Sequence, residues 1–219
     1  METKTLEKNI KKNLSELLSN YGFKEEGARN IFIKEVDGGC IMLSFYTLNF
    51  KPSYEILITM YRRFNQVENI LNKYLPMLGE KNNEILTHTL EIDENALNGI
   101  NSGTKLYSII NYDYESTIKV LYERIENILL PFIYRINSIN ELNTFINVPY
   151  EKYYEVAGYF VKDGGFMFRK MIVAKLVNKN YNEVCNFVLE LLESNLKSSP
   201  ELEKWINVYH KLKSELDNI

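Results

Sequence analysis

The opening of the chain constrains its fold more than any other stretch. Leu6, Ile10, Leu14, Leu17, Leu18 and Tyr21 recur at spacings of three and four, while Lys8, Lys11, Lys12 and Glu16 fill much of the remaining circumference. That pattern predicts an amphipathic helix with one buried face. Gly22 follows where a left-handed cap terminates a helix, because glycine alone accepts positive φ without a Cβ penalty. A run of strand signals then begins. A helix that must bury one stripe, followed at once by two-faced strands, predicts a helix laid on an antiparallel sheet.

The strand signals have period two. Ile31 and Ile33 oppose Phe32, and Asp37-Gly38-Gly39 reads as a hairpin turn. Residues 40–50 and 54–64 are rich in β-branched and aromatic types, with Pro52 breaking them apart. In the second run Tyr54, Ile56, Ile58 and Met60 share a face, against Glu55, Thr59, Tyr61 and Arg63, with Leu57 an apolar exception. Residues 65–75 read as a short helix or a helical turn ending at Pro76, 84–92 as a fourth strand and 93–104 as a loop. Residues 106–111 read either as a fifth short strand or as an irregular lead into the next helix.

From Tyr114 the period changes to that of a helix, through Ile118, Leu121, Tyr122, Ile125, Ile128 and Leu129. Pro131 should kink it or end its regular part. Ser138 and Glu141 have capping-box spacing before a helix over 139–146. Residues 150–161, 166–177, 181–194 and 201–217 read as further helices. A hairpin over 156–173, turning at Gly164-Gly165, is the alternative. Two of these helices form at most one tetratricopeptide-like pair, and an array needs about three. The expected class is α+β: an N-terminal helix on a four- to five-stranded antiparallel sheet, then an all-helical C-terminal half. The expected division is 1–112 and 113–219, the halves sharing one core.

Two segments resemble a bacterial domain family of unknown function. Leu6 to Ile33, with its helix, Tyr21-Gly22-Phe23-Lys24 and a following strand, resembles that family's start. Ile128-Leu129-Leu130-Pro131-Phe132 followed by Ile136 to Leu142 resembles its closing segment, where a proline-bearing helix leads into a polar-capped one. The similarity spans about residues 5–146. It implies a helix against an antiparallel sheet and carries over no functional residue.

A chain of 219 residues buries roughly 70–75% of the surface its unfolded form exposes, so it needs no staple. Cys40 and Cys185 are the only cysteines, too few for a disulfide framework or a zinc site, and read as reduced, buried thiols. His88 and His210 are the only histidines, without a metal ligand at useful spacing. No metal and no cofactor is expected. Lys and Arg total 26 against 29 Asp and Glu, for a net charge of −3, which argues against broad nucleic-acid binding. The polar first residues and the lack of an apolar run of about 18 residues predict a cytoplasmic protein with no membrane span. Abundant Asn, Lys, Ile and Tyr with little Ala or Arg point to an AT-rich bacterial genome.

Catalytic readings are thin. His88 would serve as a general base only in a cleft, and a Cys–His pair has no local support. Glu55 and Glu91 would form an acid/base pair only if the sheet set them face to face. Asp163-Gly164-Gly165 before a helix bearing Arg169 and Lys170 has the outline of an anion site or of a plain connector. Tyr61-Arg62-Arg63-Phe64 has the residue types of an interface hot spot, or of strand-end arginines that cap the sheet or pair with Glu. Tyr46, Tyr61 and Arg63 are the candidate binding residues, on the face of the sheet away from the first helix. The 16 tyrosines, among them Tyr150, Tyr153 and Tyr154, suggest either an adhesive face or codon bias. The leading reading is a non-catalytic protein-binding module of the toxin-immunity or antagonist kind, with another protein as its partner. The rival is an enzyme or small-ligand binder with a site between sheet and helices, which a pocket of convergent Arg, His and Glu would favour.

Overall fold

The protein is described by a computed structural model covering residues 3–27, 29–50, 53–79, 87–92, 106–109, 113–148, 165–196 and 199–219. The chain is α+β, and it divides into two compact units, both discontinuous in sequence. The first comprises 1–62 and 90–135; the second comprises 63–89 and 136–219. These are not the sequential halves 1–112 and 113–219. The path leaves the first unit at the end of a strand, adds a helix and a turn to the second, and comes back for two more strands.

In the first unit, α1 (Thr3–Ser19) buries Leu6, Ile10, Leu14, Leu17 and Leu18, as its spacing predicts. It ends in a Schellman motif. The Gly22 N–H donates to Ser19 O at 3.0 Å and the Phe23 N–H to Leu18 O at 3.1 Å. Gly22 sits at φ +81°, and Phe23 is buried.

The sheet follows as β1 (Lys24–Glu25), β2 (Ile31–Val36), β3 (Gly39–Phe50) and β4 (Ser53–Phe64), and later β5 (Leu90–Ile92) and β6 (Leu106–Ile109). The order β1-β2-β3-β4-β5 forms one path, and β6 also pairs with β4, giving six strands. Asp37-Gly38 closes the β2–β3 hairpin, with Val36 opposite Gly39 and Gly38 at φ +71°. Phe32, Ile41, Leu43, Phe45, Ile56, Ile58 and Met60 are buried and alternate along their strands, as one inward face requires. Arg62 continues that face. Its guanidinium is buried and donates to Cys40 O at 3.2 Å and Asp37 O at 3.3 Å, bracing the hairpin turn.

The fourth strand is shorter than the alternation over 84–92 suggests. Only Leu90–Ile92 is strand, Thr87 to Thr89 are not, and 84–86 lie outside the described residues, as does the expected loop over 93–104. Thr87 and Thr89 accept or donate side-chain hydrogen bonds in the second unit, described below, in place of ladder contacts.

The long helix runs as α3 (Tyr114–Arg124), a π-helical turn (Ile125–Leu129) and α4 (Leu130–Arg135). Pro131 explains the turn. It has no N–H to give and its ring crowds the carbonyl four residues back, so the ladder widens just ahead of it. Leu130 N–H donates to Ile125 O, five residues back. The extra residue shifts the buried stripe from Ile128, which is half-buried, to Leu129 and Leu130. Asn13 joins α1 to α3: its amide donates to Tyr114 Oη at 2.9 Å, and Tyr122 Oη donates to its carbonyl at 2.6 Å.

The second unit is helical: α2 (Asn65–Leu71), a 3-10 turn (Leu75–Leu78), α5 (Ile139–Ile146), α6 (Phe166–Leu176), α7 (Tyr181–Leu196), a 3-10 turn (Pro200–Leu202) and α8 (Glu203–Asp217). The short helix or helical turn expected over 65–75 is a helix that stops at Leu71, and Pro76 lies in a separate 3-10 turn. Ser138 and Glu141 do form a capping box on α5. The hairpin alternative over 156–173 fails, since its second arm is helix α6. The helix expected over 150–161 lies outside the described residues.

α6 is the axis of this unit. It packs against α2, α5, α7 and α8, and every residue from Met167 to Ala174 is buried. A helix buried on all sides should be apolar all round; Arg169 and Lys170 break that rule and are satisfied internally. The Arg169 guanidinium donates to Glu68 through Nε at 2.8 Å and Nη2 at 2.9 Å. Glu68 also accepts from Thr89 Oγ1 at 2.9 Å. Lys170 donates to Ile146 O, at the carbonyl end of α5, with the Phe187 ring 6.0 Å from its ammonium. Phe168 stacks on Trp205, with ring centroids 6.0 Å apart.

Candidate protein-binding face

The outward face of the sheet is set by β3. Strand parity puts Met42, Ser44, Tyr46, Leu48 and Phe50 on one side and Ile41, Leu43, Phe45 and Thr47 on the other. The second set faces α1: Thr47 Oγ1 donates to Glu7 of that helix at 2.5 Å. The first set is buried at Met42 and Ser44 and then opens. Tyr46 is 55% exposed, Leu48 39% and Phe50 54%.

The opening coincides with the end of β2. The β2–β3 register finishes with Ile31 opposite Ser44, and Phe45 N–H donates to Asn30 O at 3.1 Å just beyond it. Tyr46–Phe50 thus extends past the last β2 rung. Alternation turns three large apolar side chains to the same side of that extension. Strand signals over 40–50 predict the strand; the exposure of this row depends on where its neighbour stops.

Tyr61 on β4 joins this face. Ser44 Oγ donates to its hydroxyl at 3.3 Å. Burial pushes the Tyr61 phenol up from its ordinary pKa, and Glu91 directly opposite on β5 adds to the shift, while the Ser44 contact offsets part of it. Tyr61 therefore stays a neutral hydroxyl at physiological pH, with Tyr46 the outer member of the pair.

Arg63 is placed differently. It belongs to the second unit and is 7% exposed. Its Nε donates to Asn65 Oδ1 at 2.9 Å, Nη1 to Thr87 O at 2.7 Å and to Thr87 Oγ1, and Nη2 to Asn69 Oδ1 at 3.4 Å. This is the geometry of an arginine that closes a strand end. Of the three residues singled out by pattern, Tyr46 and Tyr61 share the sheet's outer face, and Arg63 is a buried donor. Leu48 and Phe50 share that face, and pattern alone does not single them out. The signal was present, in that 46, 48 and 50 are all apolar and share parity, but a row of that kind reads equally as core.

The sheet does not set Glu55 and Glu91 face to face. Glu91 lies opposite Tyr61, whereas Glu55 lies opposite Ser108. Six positions along β4 separate the two rungs, about 20 Å at strand rise, so the carboxylates are not an acid/base pair. Cys40 and Cys185 are both buried and neither is in a disulfide. Burial pushes the Cys185 thiol up, away from reactivity. Among the described residues no group of three His, Cys, Asp or Glu side chains converges. Arg169, offered by sequence as an anion ligand, is held bidentately by Glu68. A groove of about 290 Å³ on α1 is lined by Lys8, Lys11, Lys12, Ser15, Glu16 and Glu25. Its cations are partly spoken for: Lys11 pairs with Glu25 at 3.2 Å and Lys12 with Glu16 at 3.9 Å. No described helix is long and apolar enough to cross a membrane.

No family model matches the chain, and no curated protein and no solved structure matches it either. The resemblance over residues 5–146 thus has no family match behind it.

Proposed function

We propose that this chain is a non-catalytic protein-binding module, of the kind an immunity or antagonist protein provides, acting in the bacterial cytoplasm on another protein. One observation supports it: the row Tyr46, Leu48 and Phe50, exposed together on one strand face beside Tyr61. Single exposed apolar residues need no explanation; a contiguous row with aromatic members is the composition of an interface anchor. Tyrosine suits that task because its ring gives area while its hydroxyl tolerates water in the free state.

The rival reading, an enzyme or ligand binder, would be favoured by a pocket of convergent Arg, His and Glu. Arg62, Arg63 and Arg169 each spend their guanidinium on groups inside their own unit. The α1 groove contains neither Arg nor His.

The test is site-specific photo-crosslinking from Leu48 in the source cells, followed by titration of the purified partner. Tyr46→Ala/Phe50→Ser should weaken that partner at least tenfold while thermal unfolding stays within a few degrees. Full affinity in the double variant would remove this face from the interaction. A toxin gene beside this one would name the first partner to titrate.

A further inference from the structure

We draw no further inference here: the strongest candidate, the exposed Tyr46–Leu48–Phe50 row at the outer end of β3, belongs to the site already described, and nothing in the structure shows what covers it.

Discussion

The two units solve the problem of polar groups in opposite ways. In the sheet unit, apart from Arg62, the buried polar side chains are uncharged hydroxyls such as Ser44, Thr59 and Thr117, and other polar contacts are only part-buried: Asn13 with Tyr114 and Tyr122, Tyr21 with Glu126 at 2.7 Å, Thr47 with Glu7. In the helical unit, charge sits at the centre, with Glu68, Arg169 and Lys170 all but fully buried on or against the axial helix. A peripheral hydroxyl that loses its partner falls back on water. A buried charge that loses its partner has no such refuge. The helical unit should therefore be brittle at a few polar positions, and the sheet unit tolerant at its outer end, where Tyr46, Leu48 and Phe50 are exposed.

The largest effect is expected at the buried ion pair. Glu68→Leu strands the Arg169 guanidinium and should cost about 3–5 kcal/mol. Glu68→Leu/Arg169→Met should recover most of that loss, because two apolar side chains replace two desolvated charges. Urea unfolding followed by Trp205 fluorescence reads this unit, since Trp205 is the only tryptophan and stacks on α6. A single variant within 1 kcal/mol of wild type would show that the pair does not hold α6.

Next comes a pH effect. Burial lowers the Lys170 ammonium from 10.5 to about 8. Between these values the unfolded chain binds more protons than the folded one, so this group makes stability rise with pH from about 8 to 10. The slope it adds is at most about 1.4 kcal/mol per pH unit. Tyrosines whose phenols are raised, Tyr122 and Tyr209 to about 12, act in the other direction above pH 10. Lys170→Met should flatten the rise in chemical-denaturation midpoints between pH 8 and 10. An unchanged slope would assign the titration elsewhere.

Arg63→Ala should be the next most costly, about 1–3 kcal/mol, since Thr87 O, Asn65 and Asn69 lose a shared donor. A neutral result would return Arg63 to the list of surface anchors. Gly22→Val follows at about 1–2 kcal/mol, the strain of a β-branched residue at positive φ. The space itself is adequate, as a Cβ there meets only Lys34 Cε at 3.8 Å, so Gly22→Asn should cost less. Equal midpoints for Val and wild type would mean that α1 can end another way. The smallest effect belongs to Tyr46→Ala/Phe50→Ser, within about 0.5 kcal/mol for side chains that leave water exposed. A loss beyond 2 kcal/mol would make the row structural and erase the contrast between the units.

What the sequence by itself determined was local. The Schellman cap at Gly22, the Asp37-Gly38 hairpin, the Ser138–Glu141 capping box and the disturbance ahead of Pro131 are closed by atoms within about five residues of one another. Short-range hydrogen bonding and sterics settle such features whatever the rest of the chain does, so their residue signals are readable directly. Tertiary structure alone decided that Arg169 finds Glu68, 101 residues away. It also decided that Thr87–Thr89 leaves the strand to serve Arg63 and Glu68, and that the chain is cut at 62/63, 89/90 and 135/136 into interleaved units. Alternation over 40–50 says only that Tyr46, Leu48 and Phe50 share a side. Whether that side is dry or wet depends on where β2 ends, and burial is a property of the neighbours, not of the strand.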